Sequence, residues 1–136
     1  MWTCPQCERA FGRDNQSHMC TGALKDIWEI MEGRSDELLL AFDSLMSALL
    51  EWEPCSVGAS KHSAIFTNTR AWLIVKPMSR ALDLKFYMPA PMEHPLLHKV
   101  HTYRNKHSHH VRVEGEHGLT PELFDLLRAA YDQALG

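Results

Sequence analysis

Ala81-Leu82-Asp83-Leu84-Lys85-Phe86-Tyr87-Met88 alternates without a break over residues 81–88. Successive side chains of a strand point to opposite faces, so Leu82, Leu84, Phe86 and Met88 share one side and Asp83, Lys85 and Tyr87 share the other. A strand that is apolar on one face and charged on the other suits an antiparallel sheet covered on one side only. Upstream, Cys55–Gly58, Ser63–Thr67 and Ala71–Lys76 read as three further strands, the last closed by Pro77. Downstream, Val100–Tyr103 and His109–Glu114 supply two more, broken at Arg104-Asn105-Lys106, after a rigid excursion marked by Pro89-Ala90-Pro91 and His94-Pro95.

On either side of these strands the period lengthens. Ser35 is a good helix N-cap with Asp36 and Glu37 in the first turn. Leu38, Phe42, Leu45, Leu49 and Trp52 then recur on one helical face until Pro54 ends the pattern. Pro121 suits the first turn of a closing helix with Leu123, Phe124, Leu127, Ala130 and Tyr131 on its apolar side. Consecutive strands with short connections and two amphipathic helices predict an α+β fold: a small antiparallel sheet of about five or six strands packed against two flanking helices. The expected organisation is an N-terminal knuckle over residues 1–22, a connector over 23–35 with a short docked helix around Leu24 to Met31, and the α+β domain over 36–136.

The first twenty residues carry a different chemistry. Cys4, Cys7, His18 and Cys20 read C-x2-C-x10-H-x-C, whereas Cys55 stands alone. Two thiols in a Cys-Pro-Gln-Cys turn followed by two more soft ligands form a metal pattern rather than a disulfide framework, and Zn2+ accepts such a Cys3His tetrahedron as a closed structural site. Redox-active or free thiols are the plainer alternative. His18 and Cys20 are two apart and share a side of an extended segment, which separates this knuckle from fingers that read bases with a helix.

Over its 136 residues the chain has 14 Lys and Arg against 17 Asp and Glu, a formal charge of −3. That average hides an asymmetry. Residues 21–54 hold two basic and eight acidic residues, a formal −6, whereas residues 55–118 hold nine basic and four acidic, a formal +5, with eight of the nine histidines. The overall acidity therefore does not exclude an anionic partner for the basic segment. An apolar fraction of 45% excludes wholesale disorder. No apolar run of membrane-spanning length occurs and Met1-Trp2-Thr3-Cys4 lacks the features of a secretory signal, so no membrane association and a cytoplasmic location are expected.

The segment from about Asp36 to Leu135 resembles the bacterial family called domain of unknown function 5655. The resemblance rests on Lys61…Ile65-Phe66, on Leu82-Asp83-Leu84-Lys85-Phe86-Tyr87-Met88-Pro89, on Tyr103…His109-His110-Val111-Arg112-Val113 and on Leu123…Leu127-Arg128-Ala129-Ala130-Tyr131. Similar proteins carry a knuckle matched here by Trp2, Cys4, Pro5, Cys7, Asn15, Gln16, Ser17, His18 and Cys20. The resemblance implies a compact α+β domain with a small-ligand or nucleic-acid-associated role, and it supplies no catalytic residues.

The candidate binding residues are Lys61, Arg70, Lys85, Tyr103, His109, His110 and Arg112, which would attract phosphate, carboxylate or a nucleic-acid backbone if they met on one sheet face. Solvated surface charge offsetting the acidic first helix is the plainer reading of the same residues. Adjacent on a strand, His109 and His110 point to opposite faces, so at most one joins a site on the open side. A second metal site from the histidines lacks a spaced carboxylate or thiol. The expected function is a zinc-containing bacterial binding module that takes nucleic acid or a phosphorylated ligand on a basic sheet face. The alternatives are a small metal-assisted nuclease using Asp83 and Lys85, both on one strand face, and a protein adaptor anchored by Trp2, Trp28 or Trp72.

Overall fold

The computed structural model describes residues 2–3, 10–11 and 21–135, with side chains from Asp26 to Leu135. The ligand set Cys4, Cys7, His18 and Cys20 lies outside the described residues. An antiparallel pair, β1 (Trp2–Thr3) and β2 (Ala10–Phe11), joins the two ends of the stretch that contains Cys4 and Cys7. Helix α1 follows at Thr21–Ile30 and α2 at Asp36–Leu49. The strands β3 (Ser56–Ala59), β4 (Ala64–Thr67), β5 (Ala71–Pro77), β6 (Leu82–Met88), β7 (Lys99–Tyr103) and β8 (Lys106–Val113) come next, then α3 at Pro121–Leu135.

All six strands form one antiparallel sheet in the order β3-β4-β5-β6-β8-β7. The fold is α+β with an open sheet. Because β6 and β7 both pair with β8, they run parallel to each other, and the connection over residues 89–98 crosses β8 to reach the far edge. The excursion rich in proline thus has a topological task that spacing alone did not reveal.

The alternation of residues 82–88 holds in three dimensions. Leu82, Leu84 and Phe86 are fully buried, whereas Asp83, Lys85 and Tyr87 are half-buried on the other side. Helix α2 starts where its cap predicts, the Ser35 hydroxyl accepting from the Leu38 amide at 3.3 Å. It buries Leu38, Phe42, Leu45 and Leu49. At the start of α3 the Thr120 hydroxyl accepts from the Leu123 amide at 3.2 Å. Both helices join one core with the inward residues of the sheet, each buried Leu or Phe contributing roughly 1.5–3 kcal/mol of hydrophobic stabilisation.

Two features depart from a reading of the sequence by period. Within the expected connector, Ile27 and Met31 are fully buried and Trp28 meets Phe42 edge-on at 5.6 Å, so this segment is part of the core. In β5 a bulge opposite Phe66 and Thr67 shifts the register, so that Trp72 and Leu73 are both buried. Trp72 packs among Trp52, Phe66 and Tyr131. With 2% of its surface exposed, it offers no anchor to a protein partner.

Candidate anion-binding face

The helices pack on the inward side of the sheet, and the outward residues of β5, β6, β8 and β7 are exposed or half-buried, apart from the buried Ser108. Cross-strand register decides which of these are neighbours. One row runs Lys76, Asp83, Arg112 across β5, β6 and β8. The next runs Ile74, Lys85, His110, Lys99 across β5, β6, β8 and β7, and a third brings Tyr87, Ser108 and His101 together. Directly opposed residues on neighbouring strands have Cβ atoms about 5 Å apart, so four cations lie within two adjacent rows around a single carboxylate.

That carboxylate is already engaged. His110 Nδ1 stands 2.9 Å from Asp83 Oδ2, linking the two rows diagonally, and each side chain is about one-sixth exposed, at 17% and 16%. With Nδ1–H donating to the carboxylate, Nε2 is the nitrogen left to meet a ligand. Lys85 Nζ lies 5.2 Å from the centre of the Tyr87 ring. Two rows of ammonium and guanidinium groups around an oriented imidazole can donate several charge-assisted hydrogen bonds to phosphate or carboxylate oxygens.

Of the residues expected to bind an anion, the register unites Lys85, His110 and Arg112. It separates the other four. His109 lies on the inward face of β8, fully buried and stacked on Phe86 with centroids 5.5 Å apart and planes at 12°. Its Nε2 accepts from the Met92 amide at 2.9 Å and its Nδ1 donates to the His107 carbonyl at 3.0 Å. Burial pushes its pKa below the usual imidazole value. Lys61 sits in the β3–β4 turn and lines a different cavity. In the β4–β5 turn Arg70 Nε donates to the Ala134 carbonyl at 2.8 Å, capping the end of α3. Tyr103 is exposed at the tip of β7, with Arg104 5.3 Å from its ring.

Sequence reasoning missed Lys76 and Lys99. Lys76 was legible as the charged position of an alternating strand, but Lys99 joins the row only because β8 lies between β6 and β7. Asp83 and Lys85 do share a face, as the nuclease alternative requires. The residues opposed to Asp83 are nevertheless Lys76 and Arg112, and among the described residues no second acid stands with it to hold a divalent ion. Among the described residues no group of three His, Cys, Asp or Glu side chains is placed to hold a metal, so the histidines of β7 and β8 do not assemble one. Burial pushes the Cys55 thiol up to about 11, which leaves it protonated and a poor nucleophile near neutrality.

The model of a family described as a domain of unknown function, DUF5655, matches residues 27–134. The chain belongs to the DUF5655 family. The matched span runs from the buried Ile27 of α1 to Ala134 in the last turn of α3, so the DUF5655 unit includes the last turn of α1, the whole six-stranded sheet and the charged face. Comparison with curated proteins and with solved structures gives no match.

Proposed function

We propose that this DUF5655 protein is a zinc-containing binding module whose open sheet face takes an anionic partner, either nucleic acid or a phosphorylated ligand. The observation that carries the reading is the register that gathers Lys76, Lys85, Lys99 and Arg112 around the Asp83–His110 pair on the face opposite the described helices. Strands stand about 4.8 Å apart, so this array spreads over more than one phosphate's width, which favours a chain of phosphates over an isolated ion. The oriented His110 imidazole adds a directional group that a field of lysines lacks. Zinc belongs to the same reading as a structural element: Cys4, Cys7, His18 and Cys20 offer three thiolates and one imidazole, a closed tetrahedral donor set, in a segment too small to order itself without a metal.

The test is titration with single- and double-stranded oligonucleotides at two salt concentrations. Binding that weakens steeply with salt, with a slope reduced by about one on Lys85→Ala or Arg112→Ala, supports the face as the site. Salt-insensitive binding, or none, defeats it. Metal analysis of protein never exposed to chelator addresses the zinc, one equivalent being the expected content and less than about half an equivalent counting against the Cys3His set.

A further inference from the structure

One cavity lies at the margin of the charged face and shares Lys76 with it. It occupies about 660 Å³ between α1, the β3–β4 turn and the end of β5, within the range of about 300–1,000 Å³ usual for small-molecule sites. Its charged lining falls into two sets from different elements. Arg34, Lys61 and Lys76 come from the α1–α2 turn, the β3–β4 turn and β5, with His62 beside them. Asp26 and Glu29, three apart on one face of α1, supply the acids.

Two observations show that these sets do not satisfy each other. Elsewhere on the protein opposite charges do meet, as Arg128 meets Asp132 at 3.2 Å. Among the described residues no ion pair joins Asp26 or Glu29 to Arg34, Lys61 or Lys76. Arg34 is also left incomplete. Its Nη2 reaches the Pro77 carbonyl by a long 3.4 Å bond, and its Nε is buried without a partner among the described residues. Native proteins rarely leave a buried guanidinium nitrogen unpaired, and the group that most readily completes it is an oxyanion.

We infer that this cavity binds a small ligand carrying an oxyanion at one end and an amino group at the other. The oxyanion is held by Arg34 with Lys61 and Lys76, and the amino group by Asp26 and Glu29. Three cations and two carboxylates give the cavity lining a net charge of only +1, which suits a zwitterion better than a bare dianion. The carboxylate of an amino acid and the phosphate of an amino-alcohol ester share this chemistry.

Calorimetric titration of the full-length protein with four probes tests the assignment. O-Phosphoethanolamine and γ-aminobutyrate each carry both ends, one with phosphate and one with carboxylate; inorganic phosphate and ethanolamine carry one end each. At least one two-ended probe is expected to bind ten-fold or more tightly than either single-ended probe, and which of the two does so identifies the oxyanion. That advantage should fall at least ten-fold in Lys61→Glu and in Glu29→Gln, both exposed positions whose replacement leaves the core intact, and stay unchanged in Lys85→Ala on the sheet face. Equal binding of one-ended and two-ended probes overturns the inference, as does the absence of binding or an advantage that survives both cavity variants.

Discussion

The amide of Met92 donates to Nε2 of His109 across 2.9 Å, and by this bond the crossing segment over residues 89–98 is fastened to the buried face of β8. The donor fixes the tautomer. Nε2 must be bare to accept, so the proton sits on Nδ1 and points to the His107 carbonyl. A second proton on this ring would face an N–H and abolish the fastening.

His109 therefore makes stability depend on pH. Burial is the main cause that lowers its folded-state pKa below the ordinary imidazole value of 6.5, with the charges of His107 and His110 acting in the same direction. The unfolded chain takes up this proton more readily than the folded one, so the contribution is complete above about pH 6.5 and is lost as pH falls below it. Urea denaturation of the wild type between pH 7.5 and 5.5 should show falling stability on the acid side. The difference between wild type and His109→Gln, whose amide accepts without titrating, should shrink over the same interval; a difference that stays constant with pH would refute the role.

Asp83 is the one carboxylate in the cationic rows. Its replacement separates the two readings of this face. In Asp83→Asn the local field becomes more positive by one charge, and oligonucleotide affinity at low salt should rise about three-fold or more, the gain fading at high salt. An Asp83→Asn variant that binds less tightly at low salt counts against an anion-binding face, and one that loses a divalent-ion-dependent cleavage activity would favour the nuclease reading instead.

Leu84 and Lys85 are chain neighbours on opposite faces of β6, and their replacements should differ accordingly. Leu84→Ala removes a fully buried side chain and should cost about 2–5 kcal/mol. Lys85→Ala should change stability by less than about 0.5 kcal/mol while weakening anion binding. Equal losses from the two in chemical denaturation would contradict the one-sided burial of the sheet.

Cys55 is shielded, and its reactivity reports that. With the thiol pushed up to about 11, roughly one molecule in a thousand carries the thiolate at pH 8. Peptide mapping after iodoacetamide treatment should find Cys55 unmodified in native protein and fully modified in denatured protein. Comparable labelling in both states would be inconsistent with its raised pKa.

Much of this architecture was legible in the chain because it is governed by local rules. Alternation at 82–88 survives because Leu82, Leu84 and Phe86 are fully buried, and the cap at Ser35 acts within one helical turn. What escaped depends on partners far away in sequence. Nothing around Trp72 marks the bulge that turns it inward, since the irregularity is a property of its pairing with β4. Residues His109 and His110 were separable in principle, but which of them meets solvent is decided by whether its strand neighbour is Phe86 or Lys85. The same holds for Lys99, and for Arg34, an unremarkable turn residue until α1 and β5 enclose it.

The strand order has one more consequence, for motion rather than for geometry. Among the described residues β7 pairs with β8 alone, all five of its residues are exposed, and it carries Lys99. Such a strand opens at little free-energy cost, so its amides belong among the fast-exchanging ones of the sheet. An anion bridging Lys99 and His110 would tie this outer strand to its neighbour, and occupancy of the face would register as slowed hydrogen exchange at Lys99–Tyr103, where the unliganded protein frays.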